Sequence, residues 1–446
     1  MGNRGIQSFI VNLKRRTDRR SHAIKQFEDR EEFEMNLVEA FEDPVGAIGL
    51  WTTIRHILKD LVEPKDEYII LCQDDHLFTK EYSKEYLLHC IDEAQSFQAD
   101  ILACGISGFT STIPITKHIF WVEKFSGLQF TVIFRKFFQK ILDASFATVN
   151  AADFKLCELT ENKFFVYPFL SIQKEFGYSD VTDGNNEIGI VEKGFRDSDE
   201  KVKIMNTVST SYKQKYSIIN SVENFIAFEG VVIPTYVFRS SERNEQLPDI
   251  EKQFAGKREF DVTIMEACHH KNKELALWLA IKKIIETAIE NDDDIIIICR
   301  KDHQFTKHYE HRYFMKLVWQ AALLGCNVLI GGTETFNLAL PIADNIFWID
   351  SFHSSKFFVV YKSFYKKILQ EPFCDTDTIE SKFSEMTSNK MALHPFISEQ
   401  KDFDHMEIND RNNFRKAIAL HPTDSNTRLL KLKNAWNKFN ETGAKS

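Results

Sequence analysis

Residues 70–82 read ILCQDDHLFTKEY, an apolar run that stops at two adjacent aspartates and a histidine. Carboxylates leaving the end of a buried strand suit a hard divalent cation. Mg²⁺ and Mn²⁺ take oxygen donors and are commonly held by one or two carboxylates plus substrate phosphates. The same residues also suit a solvated turn before the next helix, where Asp and Thr are common caps. Residues 297–309 repeat the phrase as IICRKDHQFTKHY. Asp75 recurs as Asp302 and His76 as His303, but Gln73-Asp74 becomes Arg300-Lys301. Retention in an otherwise diverged copy marks Asp75 as the primary metal contact, with Asp74 and Asp302 as further candidates. His76 is open to two readings, a metal ligand or a structural hydrogen bond. Lys301 puts a fixed positive charge where the first copy has a carboxylate. That substitution predicts a second site that is empty, or one that works without a metal.

The repetition extends far beyond this turn. Pro114 matches Pro341, IFW at 119–121 matches IFW at 346–348, and KIL at 140–142 matches KIL at 367–369, each 227 positions apart. PFLSIQKEF at 168–176 matches PFISEQKDF at 395–403 at the same spacing, as does Asp197-Ser198 with Asp424-Ser425. So long a unit means duplication of a whole domain, not a solenoid of short repeats. At the N-terminal end, IVNL (10–13) matches VIPT (232–235), 222 positions apart, which predicts a longer first loop in the second copy. The expected domains are residues 1–222 and 223–446, with the join near residues 215–227.

Within each copy, apolar runs alternate with helical patterns. QSFIVNL (7–13) and YIILC (68–72) are short, apolar and bounded by polar residues, as buried strands are. Trp51, Ile54, Leu58 and Leu61 recur at helical spacing, and Trp278, Ile281, Ile285 and Ala288 keep the pattern. DILACG (100–105) and NVLIGG (327–332) supply a further strand. Strand, helix, strand, helix predicts a tandem α/β protein with a mainly parallel, Rossmann-like sheet in each copy. Ligands of such sheets bind beyond the carboxyl ends of the strands, where Asp74 and Asp75 fall.

Composition bounds the possibilities. A chain of 446 residues exceeds one ordinary core, and 43% hydrophobic with 27% charged residues is globular in character. A net charge of −9 argues against nucleic acid as a general partner. No apolar run approaches the roughly 20 residues that cross a bilayer, which leaves peripheral association as the expected form of any membrane contact. The eight cysteines are scattered without a CxxC pair, which fits a reducing, cytoplasmic setting better than disulfides or zinc. Cys268-His269-His270 has no matching ligands nearby and reads as loop.

Four stretches in order resemble a known family. IVNLKRRTDRR (10–20), GAIGLW (46–51), ILCQDDHLF (70–78) and SIQKEFGYSDVT (171–182) are similar to the motifs of GT-A-fold glycosyltransferases, particularly the lipopolysaccharide-type family 25. They span most of residues 6–183. Gln73 stands where that family usually has Glu, and Thr53-Ile54 where Ser-His is expected. The second copy opens FEGVVIPTYVFRSSER (228–243), which looks more like a family 2 start. The resemblance implies transfer of a sugar from a nucleoside-diphosphate sugar, a UDP-sugar being the expected donor, to a hydroxyl of a glycan or other glycoconjugate. It implies Mn²⁺ or Mg²⁺ on Asp75 and Asp74 to stabilise the departing diphosphate. Asn12, Arg16, Arg19, Gly46, Gly49, Asp74 and, in the second copy, Lys301 would lie on the nucleotide side. An inverting enzyme also needs a base for the acceptor proton. Asp153, with Glu380 at the equivalent position, is the candidate.

Each of these residues has a plainer reading. Arg16 and Arg19 also suit a solvated helix face, and Asp153 a helix N-cap. Trp121 suits a core strand as well as the floor of a sugar site, and Gln173, matched by Gln400, is a further possible contact. The expected first copy is active, and the second is degenerate or differently specific. A bifunctional transferase, a sugar-binding pseudoenzyme, and a metal-dependent phosphohydrolase or nucleotidyltransferase are the competing readings.

Overall fold

The computed structural model describes residues 5–147, 151–178, 187–222, 228–239, 247–266, 270–400 and 424–443. Residues 179–182 of the fourth motif, residues 240–243 of the family-2-like start, residues 401–403 of the repeated PFISEQKDF, and Cys268 and His269 lie outside these. The chain forms two compact α/β units. One is built on Met1–Asn206 and includes Ala435–Ser446; the other comprises Thr207–Ile408 and Pro422–Asn434.

In the first unit, β1 (Ile6–Asn12) leads through α1 (Thr17–Phe27) to β2 (Phe33–Glu39), then through α2 (Gly46–His56) to β3 (Tyr68–Gln73). Both β2 and β3 pair with β1 in parallel. Ile69, Ile70, Leu71 and Cys72 of β3 are at most 1% exposed, which explains the unbroken apolar run: a central strand is covered on both faces and has no polar side to alternate. The sheet continues from β3 through Phe130–Phe134, Ile101–Ala103, Lys163–Val166 and Ile119–Val122 to Thr112–Pro114, eight strands in all. Its parallel character holds for β2-β1-β3 and for the pair Ile101–Ala103 with Lys163–Val166. The expectation of a mainly parallel sheet needs adjustment, because Phe130–Phe134 runs antiparallel between β3 and Ile101–Ala103, and the far edge is antiparallel too. The sheet is mixed. Strand direction depends on which neighbour a strand pairs with, and an apolar run carries no record of that.

The second unit repeats this order strand for strand. It also corrects the reading of its first strand. Ile6 pairs with Phe33 and Ser8 with Ile70; Ile233 pairs with Phe260 and Thr235 with Ile297. The spacing is 227 from the first strand onward, not 222, and the second copy has no longer first loop. Asn12 therefore corresponds to Arg239. Doubly buried strands lack the alternation that pins register, so similarity of isolated apolar residues misplaced this one; pairing with both neighbours fixes it.

Shared contacts explain why so many scattered residues recur. The backbone N–H of Phe78 donates to the Gln26 side chain at 3.2 Å, and that of Phe305 to Gln253 at 3.0 Å. Gly105 and Gly332 lie against the next strand so closely that a Cβ would sit 1.8 Å from the Ser171 carbonyl oxygen and 2.1 Å from that of Ser398. Gly105→Ala should therefore cost about 3 kcal/mol or more through forced displacement of packed backbone. Urea unfolding should show the loss in one transition, with Gly332→Ala acting on the other. A second expectation concerns acid. His394 is 4% exposed, and burial pushes its pKa down to about 4, with Lys433 acting in the same direction. The folded state thus holds His394 neutral while the unfolded chain protonates near 6.5. Its contribution is present above that value and fades as pH falls toward 4, amounting to on the order of 3 kcal/mol. Tyr167 occupies the equivalent position. His394→Tyr should flatten the dependence of stability on pH between 6.5 and 4 in equilibrium unfolding.

Candidate functional site

The site forms because β1 and β3 are parallel neighbours in register. Val11 pairs with Gln73, so the next residues, Asn12 and Asp74, leave the sheet side by side. Asn12 Nδ2 donates to Asp74 Oδ2 at 2.8 Å and to the Arg16 carbonyl at 3.2 Å, tying the two strand ends and the following turn together. The chain then enters α1, whose first turn aims Arg19 back at the strands. Arg19 Nη1 bridges both carboxylates, 3.2 Å from Asp74 Oδ1 and 3.2 Å from Asp75 Oδ2. Its Nη2 donates to the Tyr178 carbonyl. The rings of Phe176 and Tyr178 lie 4.8 and 4.6 Å from the guanidinium, within cation–π range. Arg16 lies 5.0 Å from the same Tyr178 ring, whose hydroxyl donates to Asp18 at 3.1 Å.

Charge balance in this cluster is tight. Arg19 and Asp74 are both 5% exposed. Burial, then the neighbouring Asp74 charge, pushes the Asp75 carboxyl up to about 6, against the pull of Arg19 and Arg16. Burial opposes the Arg19 charge, but Asp75 and Asp74 outweigh it and hold its pKa above the usual value. Asp75 Oδ1 is buried without a hydrogen-bond partner, which leaves one lone-pair site open at the turn. Gln173 Nε2 reaches Gln73 at 3.3 Å, and the Lys174 N–H donates to the Asp75 carbonyl at 2.8 Å, so the segment 173–178 lines the same turn.

The structure thus joins Asn12, Arg16, Arg19, Asp74, Asp75 and Gln173. Four other expected residues serve the scaffold. His76 is fully buried, bonded through Nδ1 to Ser171 Oγ at 2.7 Å and stacked on Phe130 at 4.6 Å; burial drives its pKa far down. His303 repeats the bond with Ser398 at 2.8 Å. Trp121 is 3% exposed and donates its indole N–H to the Glu161 carbonyl at 2.9 Å, as Trp348 does to Ser388 at 2.7 Å. Gly49 is where α2 meets the preceding loop, a Cβ there falling 2.4 Å from the Phe41 carbonyl oxygen. Gly46 opens α2.

Asp153 lies in the first turn of the helix Ala152–Leu159. Its Oδ2 accepts the Gly127 N–H at 3.1 Å and its Oδ1 the N–H of Phe154 at 2.9 Å; burial raises its pKa against these bonds. The second unit shows how near that position is to the strand end. Arg300, at the place of Gln73, donates to Glu380 at 3.0 Å and to Glu274 at 2.5 Å. Lys356 pairs with Asp302 at 3.3 Å, and Lys301 is exposed. Glu274 and Lys356 occupy the places of Ala47 and Gln129. The sequence reading missed both, along with Phe176 and Tyr178. A position-by-position comparison at spacing 227 carries the signal, because the new charges of the second copy arrive as compensating pairs.

A divalent cation does not fit the first turn as arranged. Both Asp74 oxygens are engaged, by Asn12 and Arg19, and only Asp75 Oδ1 is open. Among the described residues no three His, Cys, Asp or Glu side chains converge as a metal site.

No family model matches the chain, and no curated protein matches it. Among solved structures, it is similar to A197 from STIV, at 12% identity and a TM-score of 0.28, over 39% of this chain and 87% of that one. It is also similar to apo UDP-glucose pyrophosphorylase, at 9% identity and a TM-score of 0.25, over 51% and 86%. Likenesses this distant carry no argument about function. Among the described residues, no helix is long and apolar enough to cross a membrane.

Removing Arg19 would leave buried Asp74 and the adjacent, partly buried Asp75 without their shared counter-charge. Arg19→Ala should destabilise the first unit by about 3–5 kcal/mol, and adding Asp74→Asn should recover part of that loss. Guanidinium unfolding of the single and double variants measures both.

Proposed function

We propose that the protein is a glycosyltransferase of GT-A type that uses a nucleoside-diphosphate sugar, with its chemistry in the first unit. The observation that carries this reading is the Asn12–Asp74–Arg19–Asp75 cluster at the carboxyl ends of two parallel strands, the usual ligand crevice of an α/β sheet. The four family-25-like stretches support it, since residues from two of them form this cluster and a third covers Arg19 through Phe176 and Tyr178. The donor proposed is a UDP-sugar and the acceptor a hydroxyl of a glycan or other glycoconjugate.

In this mechanism the glycosidic bond to the diphosphate breaks as the acceptor oxygen attacks the sugar carbon. Negative charge grows on the leaving diphosphate, and fixed cations aimed at it lower the barrier. Arg16 and Arg19, both stacked against the Tyr178 ring, are the proposed source of that charge. Asp75 Oδ1 is the open acceptor for a donor hydroxyl. Asp153 is the proposed base for the acceptor proton, its raised pKa moving it toward the range where a carboxylate takes a proton effectively at neutral pH. Attack from the opposite face would invert the anomeric centre.

The second unit is proposed to bind or support and not to catalyse, because Glu380 is tied to Arg300 and Asp302 to Lys356. A bifunctional transferase would require those pairs to open.

The test is turnover of a panel of UDP-, GDP-, dTDP- and CMP-sugars, with hydrolysis as the readout when no acceptor is supplied. Asp153→Ala should reduce turnover by about 10²-fold or more, as loss of a general base does. Glu380→Gln should leave it unchanged. A panel in which no donor binds or turns over sinks the transferase and leaves a protein without this activity.

A further inference from the structure

We infer that Arg19 takes the place of a divalent cation at the first acid turn, so that this site recognises a diphosphate without a metal. The inference rests on the proposed donor class for its substrate, but its central claim concerns the carboxylates alone.

A divalent ion on adjacent aspartates needs carboxylate oxygens with free lone pairs facing one point, and Mg²⁺ in particular demands near-octahedral oxygen geometry. Here Asp74 spends Oδ2 on Asn12 and Oδ1 on Arg19, while Asp75 spends Oδ2 on the same Arg19 nitrogen. One oxygen remains, Asp75 Oδ1. The guanidinium is also held from its other side, by the Tyr178 carbonyl and the rings of Phe176 and Tyr178. It is therefore positioned by five groups of the fold and not by a chance surface encounter. A metal bound at Asp75 would sit next to this fixed positive charge, and Coulomb repulsion opposes it.

The second unit supports the same principle by different residues. There the retained carboxylate Asp302 is met by Lys356, and Glu380 by Arg300. Each unit satisfies its carboxylates with side-chain cations, although the cations come from unrelated positions. Arginine is well suited to the task, since its fork can hold carboxylates on one edge and offer remaining donors to phosphate oxygens.

The experiment is Mn²⁺ titration of the full chain, followed by electron paramagnetic resonance of free Mn²⁺, without nucleotide. Wild type should show no stoichiometric binding at millimolar metal. Arg19→Met should gain affinity by roughly tenfold or more, as removal of an adjacent like charge requires. Asp75→Asn in that background should abolish the gain. Stoichiometric binding by wild type that Asp75→Asn removes would overturn the inference. So would an Arg19→Met variant that folds, by circular dichroism, yet gains nothing. Should that variant fail to fold, Arg19→Gln, which keeps a donor to the carboxylates without the charge, is judged by the same gain. UDP binding is then measured by calorimetry in EDTA and in Mn²⁺. Equal affinity supports metal-free recognition, and binding only with Mn²⁺ overturns it. Failure of UDP to bind in either medium counts against the transferase reading, while the Mn²⁺ titration still decides the role of Arg19.

Discussion

Two like charges on adjacent residues, at the end of a strand buried on both faces, are intolerable without a counter-charge. Asp74 and Asp75 meet this constraint through one nitrogen of Arg19. Much of the first unit near the turn follows from that demand. Helix α1 must begin close to β1 so that its first turn can deliver the guanidinium. Asn12 must pair with Asp74 to fix the carboxylate that Arg19 shares. The segment after Gln173 must return across the turn to cap the guanidinium with a carbonyl and two rings. The arrangement is a largely buried ion cluster at the carboxyl ends of two parallel strands.

Duplication shows which of these demands belong to the scaffold and which to the site. Contacts such as His76 with Ser171, Trp121 with the Glu161 carbonyl, and Phe78 with Gln26 reappear in the second unit with the same partners. Buried polar groups must find partners, so a change to one member leaves the other orphaned and both persist. The strand-end charges are different. Where the first unit has Gln73, Asp74, Ala47 and Gln129, the second has Arg300, Lys301, Glu274 and Lys356; Arg300 pairs with Glu274 and Glu380, Lys356 pairs with Asp302, and Lys301 is exposed. The electrostatics were rebuilt while the backbone stayed in register.

Much of the α/β organisation was legible because it depends on local patterns. The apolar runs at 68–72 and 295–299, the helical spacing of Trp51, Ile54 and Leu58, and the constant offset between copies are all properties of the chain. The antiparallel direction of Phe130–Phe134 and Ile119–Val122 was not legible. Nothing in a short apolar segment states the direction of its neighbour. The first strand of the second copy was misplaced for a related reason, since a doubly buried strand carries no alternation to define its register.

For the site, the sequence alone determined which residues carry charge and that Asp75 and Asp302 are equivalent. It also placed the carboxylates at the end of a buried strand, because a polar break after an unbroken apolar run has few other meanings. Tertiary structure decided what those carboxylates face. Arg19 and Asp74 are 55 positions apart, and Tyr178 is 159 from Arg19. Their meeting depends on strand order and on the helix that turns back to the sheet. The same metal-like motif is a cation site when its oxygens converge on open space and an ion cluster when a guanidinium already lies between them. Spacing along the chain cannot distinguish these, because the deciding charge arrives from elsewhere in the fold.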